Sequence, residues 1–395
     1  MIPFDIHRRI PLVRRPFYQR DQAIRERDAL AAELTLLKSA AADAQSDDPS
    51  GEPTAVTPAP AVEDDEGALV DRIIAAYAQS VGITPQSDSF WDNAFFNLKR
   101  DIHDALIAKD RPVVTEMLRD PGQTDLFYGF ENLARSLADG VDYSARNVHL
   151  DLIMLSEAIG VERIRNPEYR DPPALPAVEP LLERLDGAVG APLQFPNPFA
   201  GEVGLATSRG VASYRAVQAI FQAWRIAELV HDKPSARVLE IGAGLGRTAY
   251  YATKFGVSDY TVVDIPLSNV AQAAFLGRAL GADSIRLFGE DGSGVRIAPP
   301  PEFLDSDEPY DLVVNVDSLT ELAPDVARSY AEAIKARAGM FLSINHEHQR
   351  FTVRELFSQI GLSARSRTPY WMRQGYVEEM FLVRAHKDNP RERMT

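Results

Sequence analysis

Residues 237–251, RVLEIGAGLGRTAYY, constrain the fold more than any other stretch of this chain. Val238, Leu239 and Ile241 read as a strand buried on both faces. Gly242, Gly244 and Gly246 follow at alternate positions, where the absence of Cβ allows a tight turn and a close approach of backbone to a ligand. The residues after Gly246 read as a helix. Downstream, the runs YTVVDIP, IRLFGED, YDLVVNVD and GMFLSIN are short and β-rich, and helical stretches separate them. Strand and helix in alternation predict a parallel sheet with helices on both faces, a Rossmann-like doubly wound α/β fold. The last runs, SARSRTPYW and EEMFLVRA, have little helix between them and predict an antiparallel hairpin at one sheet edge.

The turn departs from a dinucleotide fingerprint. That pattern is G-x-G-x-x-G, whereas here the spacing is G-x-G-x-G and Arg247 stands in the sixth position. Glu240, two residues before the first glycine, would repel a pyrophosphate and suits a ligand bearing a cation. S-adenosylmethionine has a sulfonium, an α-amino group and no phosphate. Asp264 closes the next strand about one βα unit further on, where a carboxylate can accept both ribose hydroxyls. The expected cofactor residues are Glu240, Gly242, Ala243, Gly244, Gly246, Arg247, Asp264 and Ile265. Glu290 and Asp291 join them after the third strand, and Asn315 and Asp317 at the end of the fourth.

VLEIGAGLGRTAYY, YTVVDIP, YDLVVNVDSLTEL and FLSIN together resemble the class I S-adenosylmethionine-dependent methyltransferases, and among them the bacterial sugar O-methyltransferases. The matching residues are Glu240, Gly242, Gly244, Gly246, Arg247, Asp264, Pro266, Glu321 and Asn345, and the likeness spans roughly residues 200–385. The resemblance implies a seven-stranded sheet whose last strand is antiparallel and lies between strands five and six. It also implies methyl transfer to a sugar hydroxyl, in a surface glycan or its precursor. Another small hydroxylated metabolite is the alternative acceptor. A cofactor-binding interaction module of a glycan-assembly complex is the alternative from outside the enzymes.

A sugar hydroxyl is a weak nucleophile, so a base or a metal must assist it. Polar residues gather where strands four and five end. Glu321 and His346 are the candidate catalytic groups, an imidazole being suited to proton transfer near neutrality. Asn345, His348 and Tyr214 are the candidate acceptor contacts. Asp317, Asn345 and Glu347 form a second-ranked set of oxygen ligands for a magnesium-like ion; the first reading needs no metal.

The rest of the chain reads as accessory. Residues 1–42 are a basic lead-in and a short helix whose Ala23, Leu30, Leu34, Leu37 and Ala41 form a candidate coiled-coil seam for a homodimer. Residues 43–66 hold eight acidic residues and no Lys or Arg, and read as a disordered acidic, proline-rich linker. Residues 67–165 read as an N-terminal helical domain, 166–205 as a connector and 206–387 as the cofactor-binding domain. The formal net charge of −15 disfavours a nucleic-acid partner. No apolar run is long enough to span a bilayer, no secretory signal is evident, and the absence of cysteine fits a reducing compartment. These features predict a cytoplasmic protein, with Arg8, Arg9, Arg14 and Arg15 offering a peripheral contact to the inner membrane face.

Overall fold

The computed structural model describes residues 54–57, 66–85, 97, 99–119, 141–164 and 175–383. The basic lead-in, the candidate coiled coil and the C-terminal tail lie outside the described residues.

The centre is an eight-stranded sheet. Its strands are β4 (Arg237–Ile241), β5 (Asp259–Val263), β6 (Ile285–Arg286), β7 (Val295–Ala298), β8 (Tyr310–Val316), β9 (Ala338–His346), β10 (Ser366–Pro369) and β11 (Tyr376–Leu382). The spatial order is β10-β11-β9-β8-β4-β5-β7-β6. All neighbouring pairs from β9 to β6 are parallel, and β11 runs antiparallel between β9 and β10. The expected antiparallel last strand is therefore present. The count of seven is corrected to eight, because the run IRLFGED supplies only the two-residue outer strand β6. The strand beside β5 is β7, from the later run VRIA. Two residues cannot compete with the four of β7, whose alternate side chains reach the core.

Side-chain alternation divides the core. Val238, Val262, Leu312 and Val314 face one layer, and Leu239, Val263, Val313 and Phe341 face the other. Over the first layer pack α6 (Tyr214–Val230), α7 (Arg247–Lys254) and α8 (Pro266–Leu280). Over the second pack α9 (Pro324–Arg337) and α10 (Val353–Gln359). Pro266 and Pro324 open their helices, where the missing N–H costs nothing.

Three expectations about the N-terminal half change. The helices α1 (Glu66–Ile83), α2 (Arg100–Ala108), α3 (Arg111–Arg119) and α4 (Val141–Ile159) are there, but they do not build a core of their own. Leu69, Ile73, Leu106, Leu118 and Leu152 belong to the same buried cluster as α8 and the sheet. The linker expected at 43–66 contains β1 (Thr54–Val56), which pairs antiparallel with β2 (Val203–Thr207), itself paired with β3 (Gly210–Ala212). Thr57 fastens this small sheet: its hydroxyl donates to the Phe199 carbonyl at 2.8 Å and accepts from the Glu202 N–H at 2.9 Å. The connector at 166–205 contains α5 (Val178–Val189), whose Leu181, Leu182 and Leu185 are fully buried. Local composition hid these elements because their partners are more than a hundred residues away or on another layer. Among the described residues no helix is long and apolar enough to cross a membrane.

Candidate active site

The carboxyl ends of β4, β5, β8 and β9 converge on one cavity of about 560 Å³, a volume suited to a nucleoside-sized ligand with room for a second molecule. One end is the glycine turn. Gly242, Gly244 and Gly246 all have positive φ, at 71°, 57° and 88°. The Gly242 N–H donates to the Val263 carbonyl at 2.9 Å, which holds the turn against β5. Gly246 starts α7, and no side chain caps that helix.

Two carboxylates line this end. Glu240 is fully buried and accepts a 2.9 Å hydrogen bond from the Tyr260 hydroxyl. Burial raises its carboxyl to about 7, although the tyrosine bond opposes the shift and the nearby Asp264 charge adds to it. Asp264 accepts from the Ile265 N–H at 2.8 Å and from Gln272 Nε2 at 2.7 Å. Burial raises it to about 6 against those bonds. Gln272 also donates to the Gly244 carbonyl at 3.0 Å, so one buried amide fixes both the turn and the carboxylate. Ala243 and Ile265 line the same end.

The other end is built where β8 and β9 finish. Asp317 has φ +56°, a left-handed conformation that is uncommon outside glycine and tolerated by Asp. This turns its carboxylate into the cavity. Its Oδ2 accepts from Arg373 Nη1 at 2.8 Å and from the Tyr376 hydroxyl at 2.6 Å, and its Oδ1 lies 3.6 Å from His346 Nε2. Burial and the bond to Asp317 push the Tyr376 phenol well above its ordinary range, so it stays a donor. Glu321, on the single turn Leu319–Glu321, completes the group. Asp317, Glu321 and His346 each offer one ligand atom within 4.8 Å of the others.

Several expected site residues stand elsewhere. Asn315 is fully buried beneath the cavity: its Nδ2 donates to the Ile241 carbonyl at 2.9 Å and to Ser318 Oγ at 2.5 Å. Asn345 donates to Asn315 Oδ1 at 2.8 Å and to Ser343 Oγ at 2.9 Å. Both asparagines tie strands together and do not line the cavity, so Asn345 is neither an acceptor contact nor a metal ligand there. Glu347 pairs with Arg367 at 2.7 Å, away from Asp317. His348 is exposed beyond the end of β9 and does not line the cavity. Glu290 is bound by Arg72 of α1 through two 2.7 Å hydrogen bonds, and neither it nor Asp291 reaches the cavity, because the strand they were expected to follow is only the outer β6. Tyr214 packs at the edge of the core, and the residues of α6 that line the cavity are its neighbour Arg215 and, one to two turns further along, Gln218, Ala219 and Gln222. Arg247 lines the cavity with its guanidinium held by Glu202 at 2.8 Å.

Arg373, Tyr376, Gln218, Gln222 and Ser318 line the site without having been foreseen. Tyr376 is opposite His346 only because of the β11–β9 register, which no local pattern specifies. Ser318 stood in the polar run after β8 and was the one with a local signal.

No family model matches the chain, and no curated protein does. Solved structures similar to it include the ribosomal protein L11 methylase of Lactobacillus delbrueckii subsp. bulgaricus, with 17% identity over 43% of this chain and 80% of that one and a TM-score of 0.32. Mitomycin 7-O-methyltransferase shares 14% identity over 42% of this chain and 55% of its own, with a TM-score of 0.33. Magnesium protoporphyrin IX methyltransferase of Synechocystis PCC 6803, solved with bound SAM, shares 14% identity over 42% of this chain and 81% of its own, with a TM-score of 0.30. Each of these matches covers less than half of this chain.

Proposed function

We propose that this protein is an S-adenosylmethionine-dependent O-methyltransferase whose acceptor is a hydroxylated small molecule, a sugar or glycan precursor first among them. One observation carries the reading: a single cavity joins a glycine turn flanked by the carboxylates of buried Glu240 and half-buried Asp264 to a histidine–carboxylate group at the neighbouring strand ends. The turn end fits a cationic nucleoside and not a dinucleotide. Glu240 would repel a pyrophosphate, while an ammonium at Glu240 and a pair of ribose hydroxyls at Asp264 would satisfy both carboxylates.

When bound, S-adenosylmethionine supplies an electrophilic methyl group. The protein's own part is to align the acceptor oxygen with that methyl, exclude water and remove one proton. His346 would take the hydroxyl proton of the acceptor, and Asp317, oriented by Arg373 and Tyr376, would stabilise the resulting imidazolium. Glu321 accepts a hydrogen bond from the acceptor or is itself the base.

Calorimetry tests the cofactor: S-adenosylhomocysteine should bind and NAD should not. Transfer of labelled methyl to a panel of sugars tests the acceptor class. Tight NAD binding would overturn the reading. A metal-assisted version is favoured by one observation, the proximity of ligand atoms from Asp317, Glu321 and His346. Asp317 already has a guanidinium on one oxygen, which weakens it as a ligand. EDTA should leave transfer intact under the metal-free reading and abolish it under the other.

A further inference from the structure

Three arginines line the cavity: Arg215, Arg247 and Arg373. Two are matched by carboxylates, Arg247 by Glu202 and Arg373 by Asp317, each at 2.8 Å. Arg215 is not matched. It lies in the first turn of α6, half-buried, with its guanidinium 5.2 Å from the ring centroid of Tyr214. Its Nε is buried and has no hydrogen-bond partner among the described residues, and the side chain forms no ion pair with any of them. A planar cation with five donors is costly to withdraw from water unless an acceptor meets it. A guanidinium left open toward a ligand cavity matches a carboxylate or phosphate, which it can take bidentately.

Its position narrows the site. Ser213, which caps α6, donates to Glu202 Oε1 at 2.7 Å, and the same oxygen accepts from Arg247 at 2.8 Å. Gln222, two turns along α6, accepts from Thr248 at 2.7 Å. The start of α6 is thereby fixed beside the first turn of α7, at the border of the glycine turn. The cavity then offers an unmatched cation at Arg215 and carboxylates at buried Glu240 and half-buried Asp264. Opposite charges within one space suit a ligand that itself carries both signs.

We propose that Arg215 is the oxyanion-binding residue of this cavity, holding a carboxylate or phosphate. Resting on the methyltransferase reading, that group comes either from the amino-acid end of the cofactor or from an anionic acceptor such as a uronate or a sugar phosphate.

Calorimetry on the full chain, on Arg215→Gln and on Arg215→Lys separates these. The probes are S-adenosylhomocysteine, 5′-methylthioadenosine (the same thioether nucleoside without the amino acid), glucuronate, glucose 1-phosphate and glucose. A cofactor carboxylate at Arg215 predicts at least tenfold weaker S-adenosylhomocysteine binding in Arg215→Gln with 5′-methylthioadenosine unchanged. An anionic acceptor predicts that loss for glucuronate or glucose 1-phosphate with glucose unchanged. In either case Arg215→Lys, which keeps the charge, retains part of the affinity. If both nucleosides fail to bind the unaltered protein, the methyltransferase reading falls, and the sugar probes still decide the role of Arg215. The proposal is overturned if Arg215→Gln leaves every anionic probe unchanged, if neutral and anionic probes weaken alike, or if no anionic probe binds the unaltered protein better than its neutral counterpart.

Discussion

The Tyr376 hydroxyl donates a 2.6 Å hydrogen bond to Asp317 Oδ2, linking the first residue of β11 to a carboxylate in left-handed conformation just past β8. Arg373 holds the same oxygen at 2.8 Å, and Asp317 Oδ1 faces His346. Removing the phenol should therefore loosen the orientation of Asp317 without freeing it. Tyr376→Phe should lower turnover by about 10–100-fold, the value of one hydrogen bond to a charged group. S-adenosylhomocysteine affinity should stay within about twofold, since the glycine turn is untouched. Steady-state kinetics beside calorimetry checks the separation.

Glu321 and His346 should report on proton removal. Glu321→Gln keeps the shape and removes the charge, and His346→Ala removes the imidazole. The residue that takes the proton should cost about 10²–10⁴ in turnover, the usual contribution of a positioned acid–base group. The other should cost less, with cofactor affinity nearly unchanged in both. Wild-type turnover in Glu321→Gln would remove that residue from the mechanism.

The glycine turn offers a paired stability test. A Cβ at Gly242 would overlap Ser318 Oγ, which hydrogen-bonds Asn315 and the Ile241 carbonyl, and φ is +71°. Gly242→Ala should destabilise by about 2–4 kcal/mol through strain and a broken clip. At Gly244 the backbone is also left-handed, but a Cβ meets nothing within 4 Å. Gly244→Ala should cost only about 1–2 kcal/mol. Thermal melts of the two variants would show the order, and equal costs would refute it.

Glu240 and Asp264 predict the pH response. Both are neutral more readily in the folded protein than in the unfolded chain, with carboxyls raised to about 7 and about 6. The folded state thus binds more protons than the unfolded one between about pH 4 and 7. Their contribution to stability is full below the ordinary carboxylate range and is lost as the pH rises through those values. The melting temperature of the ligand-free protein should fall from pH 5 to 8, less so in Glu240→Gln. An ammonium beside Glu240 favours its charged form. S-adenosylhomocysteine should accordingly bind more tightly as pH rises toward about 7.5 and release up to about one proton near pH 6, measurable by calorimetry in buffers of different ionisation enthalpy.

Truncation separates linker from fold. Removing residues 1–53 leaves β1 and Thr57 in place, whereas removing 1–57 deletes a strand and all four Thr57 hydrogen bonds, two through its hydroxyl and two through its backbone. The longer deletion should melt several degrees lower than the shorter one, corresponding to about 1–3 kcal/mol. Identical melts would mean that β1 contributes nothing.

The glycine turn, the strand-ending Asp264 and the alternation of strands with helices were legible because each is a local device. The pattern Val238, Leu239, Ile241 and three spaced glycines admits few structures other than strand, turn and helix. The β8 and β9 ends were located correctly, yet only some of their polar residues face the cavity. Within one strand, successive side chains point to opposite faces. Asn345 and His346 therefore part, the first bonding Asn315 inside the sheet and the second reaching the cavity, whereas Asp317 reaches it because it lies beyond β8 with a left-handed backbone. A polar run shows that a site exists, but not which of its members the pleat will deliver to it.

The sequence by itself determined the doubly wound class, the glycine turn and the two carboxylates beside it, since these depend on residues within one βα unit. Tertiary structure decided the rest. The β11–β9 register sets Tyr376 against His346, the packing of α6 on α7 brings Arg215 to the cavity, and the pairing of β1 with β2 draws residues 54–57 into a sheet. Each of these contacts joins separate elements of the chain, and their free energy comes from burial and hydrogen bonding that exist only once both partners are in place.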